Sequence, residues 1–247
     1  MNLSGNITNG IGQPVRRKED FRLLTGRGSF TEDVHLPELA HAVIVRSPHA
    51  HAHIASVDKT AALGSPGVLA VLIGRDYVAD RLGPIPHGAG LMGRPDVAAR
   101  VRGFEPITTL DYPMPPDKAR FVGEPVAVVV AETVDQAKDA AELIEIAYEP
   151  LPAVVRAADA LKPDAPRLWD DAPDNLCVDI EVGDEAAAAE AFGRAAHIVR
   201  LDTWVQRVTG VPMEPRTTTA DYDSTTGNYT LYAGSGRGVA KLRLDLA

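Results

Sequence analysis

Three short stretches carry residues whose types and spacing could do chemistry. The first is His49, His51 and His53, which point to one face if they lie on a strand, and imidazoles are common metal ligands. The geometry is unhelpful. Alternate strand residues are roughly 6.6 Å apart, so the outer pair stands roughly 13 Å apart, too far to share one zinc at about 2.0 Å without bending the strand. A structural or interface role is the default for the trio; a stand-alone zinc enzyme built on His49 and His51 is the sharper alternative.

The second stretch is Gly234-Ser235-Gly236-Arg237-Gly238, placed after a strand and before a helical pattern. Free amides at a helix N-terminus beside an arginine suit an anion. The spacing is neither a Walker loop nor a full dinucleotide fingerprint, and a plain strand-to-helix turn is the default reading. The third is Val211-Pro-Met-Glu-Pro-Arg216, where Glu214 sits between prolines beside Arg216. It reads as a rigidly held site carboxylate or, more plainly, as an ion pair at an irregular crossing. No Ser/His/Asp set, paired acids or Cys/His nucleophile stands out. Residue chemistry alone stops at a soluble α+β protein.

The elements that must position these residues centre on Arg120–Pro152. Val126 to Ala131 is a β-branched apolar run with the length of a strand covered on both faces. Val134, Ala137, Ala141 and Ile144 then recur at helical spacing, with Thr133 as N-cap and Gln136 completing a capping box. Ile144 to Tyr148 returns to alternation, ended by Pro150 and Pro152.

Strands are also expected at Ala40–Arg46, Ala50–Asp58, Gly67–Ile73, Leu176–Glu181 and His197–Val205. Helices are expected at Glu19–Leu24, Asp58–Ala62 and Asp184–Arg194. Thr217–Tyr222 and Asn228–Ala233 form a hairpin across residues 223–227. Gly74 to Pro116 reads as a long loop region, the kind that is functional or packed on a partner. Ala153 to Pro173, with three prolines, reads as a linker. Val239 to Ala247 begins an amphipathic helix that the chain end cuts short.

Composition bounds the rest. At 247 residues the chain can bury a real core. Its net charge of −9 argues against nucleic acid or an anionic membrane as the main partner. A single cysteine, Cys177, rules out an internal disulfide framework, and a cytoplasmic address fits. No apolar run approaches the roughly 20 residues that span a bilayer. The basic cluster Arg16, Arg17, Lys18 is a solvated face or a docking surface for another subunit.

The succession of motifs is more specific than any one of them. Gly12-Gln-Pro-Val-Arg-Arg-Lys-Glu-Asp20, Leu24-Thr-Gly-Arg-Gly28, Arg46-Ser-Pro-His-Ala-His-Ala-His-Ile54 and Phe121-Val-Gly-Glu-Pro-Val-Ala-Val-Val129 come in order. Tyr148-Glu-Pro-Leu-Pro152, Pro212-Met-Glu-Pro-Arg216 and Tyr229-Thr-Leu-Tyr-Ala-Gly-Ser235 follow. This series resembles the large subunit of molybdenum hydroxylases, the xanthine dehydrogenase/aldehyde oxidase family, in its carbon monoxide dehydrogenase branch. The resemblance implies an α/β hammerhead domain over residues 20–152 after a lead-in at 1–19. A linker at 153–175 and the first part of a molybdopterin-binding domain at 176–247 follow.

The resemblance further implies oxidation of a carbon centre (a heteroaromatic ring, an aldehyde or carbon monoxide) with oxygen from water. The implied cofactor is molybdenum–molybdopterin in its cytosine dinucleotide form, with Gly234, Ser235, Gly236, Arg237 and Gly238 near it. Iron–sulfur and FAD subunits are the implied partners, together with a second chain completing the large subunit. Two departures qualify the likeness. Family large chains are several times longer and carry the Gly-Gly-Phe-Gly cofactor loops and the catalytic glutamate further downstream. Gly236 also stands where a glutamine near the metal's oxo group is common. The expectation is therefore the N-terminal component of a split large subunit, inactive alone, with no catalytic residue of its own. A non-catalytic interaction module or truncated remnant is the alternative.

Overall fold

The structure, a computed structural model, describes residues 17–85, 101–102, 111–172, 174–176, 181–206, 208–212 and 215–234. Residues 101–102 and 181–182 are described by backbone alone. The chain divides into two compact units, Glu38–Val205 and one drawn from residues up to Pro37 and from Gln206 on.

The latter unit opens with α1 (Asp20–Leu24), a single turn closed by Thr25, whose hydroxyl donates to the Phe21 carbonyl at 2.7 Å. A 3-10 turn follows at Thr31–Asp33.

The larger unit begins with β1 (His41–Arg46), β2 (Ala52–Asp58), α2 (Thr60–Leu63), β3 (Val68–Ile73) and α3 (Gly74–Ala79). After the short β4 (Val101–Arg102) and β5 (Lys118–Ala119) come β6 (Pro125–Ala131), α4 (Val134–Glu142) and β7 (Glu145–Pro150). Helix α2 starts later than its sequence pattern suggests because Asp58 precedes it and accepts the Thr60 amide at 2.9 Å.

Two three-stranded antiparallel sheets result, ordered β1-β6-β3 and β5-β2-β7. Strand β6 is central in the first, with Val129 opposite Val43 on one side and Val71 on the other. That position explains its unbroken apolar run, since both edges are paired and Val126, Ala127, Val129 and Ala131 are buried. The expected strand–helix–strand run is present, but β6 and β7 belong to different sheets. Its members seed two layers rather than one.

Helix α4 closes the core over the first sheet. Ala137 and Ala140 are fully buried against Ala62, Val71, Val129 and Ala131, and their small side chains let the helix approach closely. Its N-cap is as expected: Thr133 Oγ1 accepts the Gln136 amide at 3.2 Å. The expected capping box differs in one bond. Gln136 Oε1 takes the Thr133 hydroxyl at 2.9 Å, and its amide packs over Gly67, where a Cβ would lie 2.2 Å from Nε2.

The expected loop Gly74–Pro116 begins as helix α3. Asp76 makes that start possible, accepting the Ile73 amide at 3.0 Å and the Lys59 ammonium at 2.5 Å. Gly74 is required by crowding, because a Cβ there would stand 2.4 Å from the Pro115 carbonyl oxygen. A helix this short leaves too few positions for a readable period. Residues 86–100 and 103–110 of that expected loop lie outside the described residues.

Residues expected as a linker carry a 3-10 turn at Ala157–Asp159 and are tied together by Asn175. Its side chain accepts the Leu168 amide at 3.0 Å and donates to the carbonyls of Ala160 and Pro166 at 3.2 and 3.0 Å. Beyond it lie β8 (Glu181–Val182), paired with β4, and α5 (Glu185–Arg194), N-capped by Asp184 at 2.9 Å to the Ala187 amide. Residues 177–180 of the expected strand Leu176–Glu181 lie outside the described residues.

The expected strand His197–Val205 is overturned. Residues 197–205 are irregular, and among the described residues no strand pairs with them. A strand needs a hydrogen-bonded neighbour, and sequence pattern alone does not provide one.

The smaller unit ends in the expected hairpin, β9 (Thr218–Asp223) and β10 (Asn228–Ala233), in register from Asp223–Asn228 to Thr218–Ala233. Asp223 organises the turn, accepting the Thr225 amide at 2.8 Å and the Thr226 hydroxyl at 2.7 Å, while Gly227 adopts φ 72°. These bonds hold its carboxyl below the usual aspartate pKa, the Thr226 hydroxyl contributing most. The helix expected from Val239 lies outside the described residues. Among the described helices none is long and apolar enough to cross a membrane.

Candidate functional site

Three of the sequence motifs, far apart in the chain, converge in the larger unit. The Ser47 amide donates to the Glu124 carbonyl at 2.8 Å and the Gly123 amide returns a bond to the Ser47 carbonyl at 2.8 Å. Arg46 Nη1 reaches the Gly123 carbonyl at 2.8 Å. From the third motif, the Leu151 amide donates to the His51 carbonyl at 2.9 Å, and Tyr148 lies against the His49 ring, centroids 4.8 Å apart.

This convergence decides the histidines. Strand β2 begins at Ala52, not Ala50, so His49 and His51 sit in the approach to it and the three rings share no strand face. His51 is buried, with Nδ1 2.7 Å from the Pro152 carbonyl oxygen. His53 lies opposite Lys118 and Glu149 in the second sheet. Among the described residues no three His, Cys, Asp or Glu side chains are arranged to hold a metal ion. His51 is held through Nδ1 by the Pro152 carbonyl, its Nε2 buried without a partner among the described residues, and His49 lies against Tyr148.

Beside this joint is a cleft of about 280 Å³, lined by Asp111, Tyr112, Arg120, Glu124, Trp169 and Asp170 among others. The Arg120 guanidinium lies over the Trp169 ring, 5.2 Å from its centroid, and donates to the carbonyls of Leu168 at 3.2 Å and Lys118 at 3.0 Å. Lys118 is buried and its ammonium meets Asp170 at 2.6 Å. That hydrogen bond holds the Asp170 carboxyl below its usual pKa.

Glu124, also buried, accepts the Arg120 amide. Burial pushes its carboxyl up, against the pull of that amide and of the Arg120 charge, with Asp111 adding a further push. Arg120, Glu124 and Asp170 are each engaged by a neighbour. The cleft is a clamp that fastens residues 168–170 onto the sheet. Glu124 lies in the Phe121–Val129 motif and Arg120 just before it, neither with a role legible from sequence, and Trp169 stands outside every motif, because a clamp between residues almost fifty positions apart leaves no local pattern.

The glycine-rich turn is only reached at its edge. Gly234 is exposed just after β10, while Ser235, Gly236, Arg237 and Gly238 lie outside the described residues, as do Met213 and Glu214. In this unit Tyr222, Tyr229, Leu231 and Tyr232 are exposed, and Thr217 Oγ1 is shut off from solvent without a partner among the described residues. One orphaned hydroxyl and an open hairpin are not a converging set of donors. The described residues do not by themselves fit a pterin cofactor.

Fold and motifs together define a class. Residues 25–152 match the α/β hammerhead domain of aldehyde oxidase and xanthine dehydrogenase, and residues 168–243 match the molybdopterin cofactor-binding domain. The chain belongs to this molybdenum hydroxylase family, and its fold is the hammerhead followed by the start of the cofactor-binding domain. It is 34% identical to the carbon monoxide dehydrogenase large chain of Hydrogenophaga pseudoflava, over 88% of this chain and 26% of that one. It is 36% identical to the gamma subunit of the 6-hydroxypseudooxynicotine dehydrogenase complex of Paenarthrobacter nicotinovorans, over 86% and 25%. The crystal structure of quinoline 2-oxidoreductase from Pseudomonas putida 86 superposes with a TM-score of 0.72 at 37% identity, over 90% of this chain and 26% of that one. The chain thus spans about a quarter of the length of these relatives.

Proposed function

We propose that this chain forms the hammerhead, residues 20–152, and the opening of the cofactor-binding region, residues 176–247, of a molybdenum hydroxylase large subunit. The enzyme oxidises a carbon centre, in a heteroaromatic ring, an aldehyde or carbon monoxide, with oxygen drawn from water. Molybdenum–molybdopterin, in the cytosine dinucleotide form, supplies the two-electron chemistry and is held mainly by residues outside these 247. Those residues also provide the cofactor loops and the catalytic glutamate, on a second polypeptide in the split-subunit form of the proposal. Iron–sulfur and FAD subunits carry the electrons away.

The role of these 247 residues is architectural: the two three-stranded sheets of the larger unit serve as scaffold, and Gly234 to Gly238 meet the cofactor edge. The chain alone is inactive. The observation that carries the reading is the occurrence of both family domains in order along one chain, with 37% identity to a quinoline oxidoreductase over 90% of its length.

The test is purification together with the polypeptide that carries the remaining three quarters of a large subunit. A complex with stoichiometric molybdenum and dye-linked dehydrogenase activity is expected, while the chain by itself gives neither. A folded, monomeric, molybdenum-free chain in the presence of that polypeptide overturns the proposal.

A further inference from the structure

We draw no further inference here: the strongest candidate, the cleft of the larger unit lined by Asp111, Asp117, Glu124, Trp169, Asp170 and Asp171, is an acidic cluster around the Arg120 clamp in which no three His, Cys, Asp or Glu side chains among the described residues are arranged to hold a metal ion, and nothing else in the structure points to a ligand there.

Discussion

Strand β6 and the stretch 198–205 start from similar material and end in opposite surroundings. Both are rich in valine, both alternate or run apolar for strand length, and both lie in the larger unit. Strand β6 has β1 and β3 on its edges and α4 across one face, so its backbone groups are paired and Val126 and Val129 are buried. Residues 198–205 have neither ladder nor cover among the described residues. The comparison teaches that β-propensity reports fitness for a half-buried pleat, and that the neighbour must come from elsewhere. The hammerhead closes on itself; the stretch after α5 does not.

The sharpest way to break this contrast is to place a charge in each region. Val129→Asp buries a carboxylate with no partner between two strands and under α4. It should cost more than about 3 kcal/mol, unfolding much of the protein, as read from urea denaturation followed by far-UV circular dichroism. A loss below 1 kcal/mol would show that the sheet is not closed as described.

The clamp sharpens the contrast next, since it fastens residues outside the two sheets onto the larger unit. Asp170→Ala leaves the buried Lys118 ammonium without its partner and should cost about 1–3 kcal/mol. Lys118→Met removes the charge along with the bond and should cost less than Asp170→Ala in the same urea titration. The reverse order would mean that Asp170 is not what holds the Lys118 ammonium.

A smaller effect, specific to pH, is expected at Glu124. Burial raises its carboxyl above the usual 4.5 in the folded protein, so the folded state favours the protonated form. That contribution is complete below the unfolded value and is lost as pH rises through the raised folded value. Glu124→Gln keeps an acceptor for the Arg120 amide and has no proton to lose. The wild type should therefore lose stability relative to the variant as pH climbs from about 4 towards neutrality. Parallel curves would remove Glu124 from the account.

The smallest effect is expected where the comparison is most open. Leu201→Asp in the chain alone should shift stability by no more than about 0.5 kcal/mol, because the side chain already faces water. A large loss would show that this stretch is packed.

The sequence by itself determined much that depends on near neighbours. The Thr133 cap, the Ala137 contact of α4, the Asp184 start of α5 and the Asp223 turn all follow from spacings within five residues, whereas Ala140, buried beside Ala137, stood outside the expected apolar set and Val134 within it is exposed. Family membership was also readable, because ordered motifs survive without any knowledge of their contacts. Only the tertiary structure decided the long-range pairings. It sent β6 and β7 to different sheets, fastened His51 to the Pro152 carbonyl, and stacked Arg120 on Trp169. It also left residues 198–205 without a strand to pair with among the described residues. The physical reason is common to all four: a ladder, a ring contact or a buried charge needs two partners, and one strand of residues states its own preference but not who meets it.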